Sequence, residues 1–388
     1  MTTFGKAIRS LWRLDPGVRF LNHGSFGATP LEVLAEQQRW RDRMEAQPVR
    51  FMASEYPAAV RTAARQAADF LGTSSERFAF VENATSGVNA ILRSLRFEPG
   101  ERIVTTSHVY GAVRQALRHV ASTTGAEVIE ADVPTPVVSP EAVFDAIAGG
   151  LNARTKLVVV DHIASPSALI FPVREIAALC AERRIHCLVD GAHAPGQIDF
   201  NVDEIDADWY VGNFHKWLCA PKGAGFLVAA DRNVPPLHPP VISHFYGQGL
   251  TAEFDWIGTR DPSSWLSVPS ALNFHEKLGG GDMRRRNHAL VLEALRSVAR
   301  ELDVVPSGPD QMFGAMATFA LPRLVAPTFE NAVRIHDLLL QQHAIEVPLI
   351  PFGDRLWMRL SVHAYNDVSD YAGLGVLLKD LLSEIVCT

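Results

Sequence analysis

From residue 31 to 71 apolar side chains recur at helical spacing, with Leu31, Leu34 and Trp40 followed by Val60, Ala64, Ala67 and Leu71. That repeat sets one packed face on each of two helices. Beyond it the period changes. Short β-branched runs at 78–81, 103–106, 128–131, 157–161, 186–190, 209–211 and 226–229 alternate with helical stretches at 86–95, 110–120, 140–148 and 173–184. Strand and helix in strict turn predict an α/β fold with a mostly parallel, doubly wound sheet. The segment Pro235-Pro-Leu-His-Pro-Pro240 resists helix and central strand, because proline lacks a backbone donor, and so reads as a connector. After about residue 270, helices near 282–301, 329–342 and 367–385 surround strands near 315–321 and 357–362, which predicts a small α+β domain. The expected organisation is an N-terminal arm of the small domain over 1–30 at the active-site entrance, a large domain over 31–265, and a small C-terminal domain over 266–388.

Composition narrows the classes. A chain of 388 residues exceeds the size at which one core stops growing. With 47% hydrophobic and 20% charged residues it is not a disordered chain. The net charge of −7, and a single basic run at Arg284, Arg285 and Arg286 on a helix, argue for a solvated face there and against a nucleic-acid partner. Apolar runs stop well short of the ~18–20 residues that cross a bilayer, and the N-terminus lacks a secretory pattern. Cys180, Cys187, Cys219 and Cys387 show neither metal-ligand spacing nor disulfide density. A cytoplasmic location is expected.

Candidate chemistry sits at strand ends. One strand runs into Asp190 in Cys187-Leu-Val-Asp190-Gly-Ala-His193-Ala-Pro-Gly196, and another into Asn213-Phe-His215-Lys216-Trp217. Ligands of open α/β sheets bind beyond the carboxyl ends of the strands. A lysine amine that condenses with an aldehyde, and a carboxylate that pairs with a pyridine nitrogen, are the two groups pyridoxal 5′-phosphate (PLP) chemistry needs. Taken singly, Asp190 could cap a turn and Lys216 could be one surface lysine among many, with Lys222 a near rival. A third segment shifts the balance: Glu82-Asn-Ala-Thr85-Ser86-Gly87 lies between strand and helix, where free N–H groups and two hydroxyls suit a phosphate.

Together these motifs, with Pro221-Lys-Gly-Ala-Gly225 behind the lysine, resemble the class V aminotransferase family of PLP-dependent transferase (fold type I) enzymes. The similarity is to its isopenicillin N epimerase-like branch, on Leu21-Asn-His-Gly-Ser-Phe-Gly27, Asp161-His-Ile-Ala-Ser-Pro-Ser167, Asn213-Phe-His-Lys-Trp217 and Trp256-Ile-Gly-Thr-Arg-Asp261. The wider class has two small residues before His-Lys, where this chain has Asn213 and Phe214. The resemblance implies that Lys216 carries the cofactor, that Thr85, Ser86 and His215 hold its phosphate, Asp190 its ring nitrogen and His193 its 3′-oxygen side. His108 or Tyr110 would stack on the ring and could serve as a second acid or base. Thr259 and Arg260 would reach the cofactor of a neighbouring subunit, making a homodimer. Arg359 would bind the substrate carboxylate. His23 and Asn22 could line the entrance, and Arg50 could meet a distal acid on the substrate.

Such an enzyme works at the α-carbon of an amino acid. Returning the removed proton from the other face is epimerisation, expelling a β-substituent is a lyase reaction, and moving the proton onto the cofactor is transamination. An epimerase or cysteine-conjugate C–S β-lyase is expected, with a class V aminotransferase or a non-catalytic PLP-binding regulatory module as alternatives. Cysteine desulfurase is disfavoured, because no residue between Cys219 and Arg359 is a cysteine to act as nucleophile.

Overall fold

The computed structural model describes residues 3–232 and 234–387, with side chains of the last helix described to residue 385. In chain order the strands are β1 (Arg19–Phe20), β2 (Phe78–Val81), β3 (Arg102–Thr106), β4 (Glu127–Ala131), β5 (Thr155–Asp161), β6 (His186–Gly191), β7 (Trp209–Asn213), β8 (Gly225–Ala229), β9 (Met316–Ala320), β10 (Ile345–Glu346), β11 (Leu349–Phe352) and β12 (Arg355–Ser361). Seven of them form a sheet in the order β2-β8-β7-β6-β5-β3-β4. From β7 to β4 every pairing is parallel, and β8 runs antiparallel to both its neighbours. This is the mostly parallel α/β fold expected.

The centre of the sheet is apolar on both faces. In β5, Leu157 and Val159 join one core with Val88 and Ile91 of helix Ala84–Ser94 and Leu117 of helix Gly111–Thr124. Their neighbours Val158 and Val160 join the other, with Ala64 of helix Tyr56–Leu71 and Ile176 of helix Val173–Glu182. Strands so covered expose polar groups only at their ends, which is where the chemistry collects.

A second, antiparallel sheet of order β11-β12-β9 follows, flanked by helices Gly281–Leu302, Phe329–His343 and Leu374–Cys387. The start of the chain is tied to this part: β1 pairs with β10, and the Gly5 N–H donates to the Ala364 carbonyl at 2.7 Å. The last helix begins later than its apolar spacing predicts. Residues Val368–Asp370 form a 3-10 turn closed by a capping box from Asp367, and Gly373 then adopts φ 71°, which interrupts the helix. Nor is the arginine triplet uniformly solvated, because Arg286 donates to the carbonyls of His363 and Asn366. Among the described residues no helix is long and apolar enough to cross a membrane.

Candidate active site

A cavity of about 550 Å³ opens at the carboxyl ends of β5, β6 and β7, lined by Asp161, Asp190, Asn213, Lys216, Tyr110 and the start of helix Ala84–Ser94. A larger trough of about 930 Å³, walled by Val49, Met52, Phe245 and Trp256, is mostly apolar. The smaller cavity holds the chemistry.

Lys216 is held as a near-neutral amine. Its Nζ lies 3.1 Å from His193 Nε2, and the Trp217 indole N–H donates to His193 Nδ1 at 3.3 Å. Indole can only donate, so Nδ1 is the acceptor and the neutral ring carries its proton on Nε2, facing the amine. Burial, with help from Lys216 and Arg359, keeps His193 well below the usual imidazole value. The same burial, with Arg359 nearby, lowers Lys216 from 10.5 to about 7. An amine with that value is both nucleophile and base at neutral pH.

One end of the cavity is a helix start. Asn83 caps helix Ala84–Ser94 by accepting the Ser86 N–H at 3.0 Å, and the Asn213 amide oxygen accepts the Ala84 N–H at 2.9 Å. Asn213 thus ties the lysine-bearing segment to that helix start. Thr85, Ser86 and His215 all line the cavity beside it. His215 Nδ1 donates to the Ala224 carbonyl at 3.0 Å, and burial lowers its pKa to about 4, so the ring is neutral.

Arg359 is buried beside the same space. Its guanidinium donates to the Ser165 carbonyl and hydroxyl, both at 2.9 Å, and to Ser25 Oγ at 3.1 Å, while Nε has no partner among the described residues. Burial lowers its pKa to about 10, which leaves it cationic. Ser25 and Ser165 stand in the cavity wall. A cation held by two swappable hydroxyls can turn to a carboxylate.

The other predicted residues divide. Of the rivals His108 and Tyr110, only Tyr110 is in the wall. His108 is fully buried, bonded to Ser167 Oγ at 2.8 Å and the Val133 carbonyl at 3.1 Å, and burial holds it at about 4. His23 does not line the entrance either. It is sealed beneath the lysine, bonded to Tyr365 Oη at 2.7 Å and the Lys216 carbonyl at 2.9 Å, its ring stacked on His363. Asn22 donates to Glu346 at 2.8 Å, and its neighbours Ser25 and Phe26 line the cavity instead. Arg50 is exposed and paired with Glu55 at 3.0 Å, away from the wall. Thr259 is exposed, and Arg260 lies 3.8 Å over the Trp265 ring, donating to Glu82 at 2.7 Å.

Asp161, Ser165 and Asn213, none of them among the expected site residues, also line the cavity. Asp161 ends its strand opposite Asp190, a register that only the folded sheet displays.

An amine, a facing carboxylate, a capped helix start and a buried guanidinium define a site for an amino acid and a phosphorylated aldehyde. A buried carboxylate oxygen without a partner, Asp161 Oδ2, marks room for a cationic ring at the acidic end. The family model for aminotransferase class V matches residues 21–371. The probable chloroplastic L-cysteine desulfhydrase of Arabidopsis thaliana is 30% identical, over 95% of this chain and 84% of its own. The isopenicillin N epimerase of Streptomyces clavuligerus is 33% identical over 96% of each. The apo cysteine desulfurase of Thermococcus onnurineus NA1 shares the fold, with a TM-score of 0.81, 99% of each chain covered and 20% identity. The chain belongs to the class V aminotransferase family, and it is a PLP-dependent enzyme.

Proposed function

We propose that the protein is a C–S β-lyase acting on cysteine or a small cysteine conjugate, with Lys216 as its base. When bound, PLP supplies an aldehyde that captures the substrate amine and a ring that accepts electrons left at Cα. Thr85, Ser86 and His215 hold the phosphate, Asp190 the ring nitrogen and His193 the 3′-oxygen side. Arg359 swings from Ser25 and Ser165 to the substrate carboxylate and so orients the Cα–H toward Lys216, whose amine takes the proton. The observation carrying this reading is the withdrawal of His108: buried, doubly bonded and neutral, it offers no second acid–base group. Elimination needs one base, and inversion needs two. A relative named as a cysteine desulfhydrase supports it.

Tyr110 favours a second reading, amino-acid epimerisation, because its side chain does reach the wall and could return a proton. Incubating the holoenzyme with cysteine, cysteine conjugates and other amino acids in deuterated water separates these. Sulfur release with pyruvate and ammonia marks the lyase, and deuterium at Cα with inverted chirality the epimerase. Dependence on an added amine acceptor marks an aminotransferase, and absence of any exchange with these compounds would overturn the lyase and epimerase readings alike.

We further propose a homodimer in the cytoplasm, with Thr259 and Arg260 serving the cofactor of the second copy. Supporting it are the exposed apolar side chains Val49, Val241, Ile242, Phe245 and Tyr246, of which Val49 and Phe245 wall the same apolar trough. Cys180, Cys187 and Cys219 are buried free thiols, as suits a reducing compartment.

A further inference from the structure

Two carboxylates close the inner end of the cavity. Asp161 and Asp190 are register partners on the parallel neighbours β5 and β6, so both project to the same side of the sheet. Both line the cavity, yet they expose only 3% and 4% of their surface. Asp190 Oδ1 accepts the Ala192 N–H at 2.9 Å. Asp161 Oδ2 has no hydrogen-bond partner among the described residues. An ionised oxygen in that condition is strongly disfavoured, and a second negative charge beside it more so.

The groups that bear on the pair do not neutralise both acids. Lys216 faces it from the lysine segment but is engaged with His193. Arg114, on helix Gly111–Thr124, is tied to Glu130 at 3.0 Å. Tyr210 on β7 carries no charge, since burial and Asp190 push its phenol well up, and its Oη is bonded to His162 Nδ1 at 2.8 Å. Burial first, and the Asp190 charge second, push the Asp161 carboxyl well above the ordinary range.

We propose that Asp161 is a second carboxylate of the cofactor site, holding with Asp190 one shared proton that passes to the PLP ring nitrogen on binding. Before binding, the pair is one carboxylic acid and one carboxylate. On transfer the carboxyl O–H bond breaks, its electrons stay on oxygen, and the ring-nitrogen lone pair takes the proton. Both acids would then be ionised, with the ring-nitrogen proton offsetting one of the two charges. The net charge is one negative before and after, so no unbalanced charge enters the buried end, and the extra acid stabilises the ring proton more than Asp190 would alone. The proposal rests on PLP as cofactor and is independent of lyase or epimerase chemistry.

Asp161→Asn keeps the shape and removes the acid. Wild type and variant are loaded with PLP isotopically labelled at the ring nitrogen, whose NMR shift is followed against pH, and cofactor affinity is read by fluorescence titration. The variant should lose its ring proton at least about one pH unit lower and bind PLP about tenfold more weakly. An unchanged titration and affinity, with Lys216 still labelled on borohydride reduction, overturns the proposal. Should the variant not fold, the wild type supplies the test: infrared spectra of the cofactor-free protein at neutral pH should show a protonated carboxyl band that vanishes on saturation with PLP. A band absent or unmoved overturns the pair. A wild type that binds no PLP overturns the cofactor assignment along with it.

Discussion

Arg359 shows how one buried side chain is kept ready. Its two hydroxyl partners satisfy it while the substrate is away, and its bare Nε marks an unfilled acceptor position. Arg359→Lys keeps the charge and loses the fork, so KM for the amino acid should rise about 10- to 100-fold with a smaller change in kcat. Steady-state kinetics decide it; an unchanged KM would remove the carboxylate from this position. Lys216 yields a pH dependence. Between about 7 and 10.5 the unfolded chain holds a proton that the folded, cofactor-free protein has released. Falling pH across that window therefore favours unfolding, and stability rises from pH about 7 toward 10.5. Denaturant melts of the cofactor-free protein should show this rise, and Lys216→Met should flatten it. The sequence made Lys216, Asp190 and Arg359 legible because their chemistry needs those residue types beside recognisable turns. Asp161, Ser165 and Asn213 were hidden, because an acid, a serine and an amide are common at strand ends and only register or packing shows what they face.

At the level of elements, the lysine segment depends on the turn His23–Phe26 packed under it. Gly27 ends that turn at φ 69°, and a Cβ there would lie 2.1 Å from the His215 carbonyl and 2.7 Å from that of Lys216. Gly27→Ala combines an unfavourable backbone with a collision against backbone, so it should cost at least about 2 kcal/mol of stability. It should also reduce pyridoxyl labelling of Lys216 after borohydride, read by peptide mapping. Full labelling with an unshifted denaturation midpoint would show that the turn does not position the lysine. The alternation of strands and helices was readable because apolar period switches at each boundary. The antiparallel direction of β8 and the pairing of β1 with β10 were not, since period reports what a residue is buried against locally and carries no sign of strand direction or distant partners.

For the whole molecule the issue is whether one chain makes a complete site. Thr259 lies exposed in its own chain, and Val241, Ile242, Phe245 and Tyr246 stand 40–60% exposed on the segment before it. An obligate dimer interface buries roughly 2,000–5,000 Å², and buried aromatic anchors dominate its centre. In an isolated chain Phe245→Glu changes a side chain that is already 40% exposed, and the fold should persist, as circular dichroism would show. In a dimer it sets a charge in a dry contact, so sedimentation should show the wild type as a dimer and the variant shifted to monomer. If Thr259 completes the phosphate site across that contact, the monomeric variant should also lose PLP on dialysis at concentrations where the wild type retains it. A variant that remains dimeric would move the interface elsewhere, and a monomer that keeps both PLP and activity would show that each chain is sufficient alone.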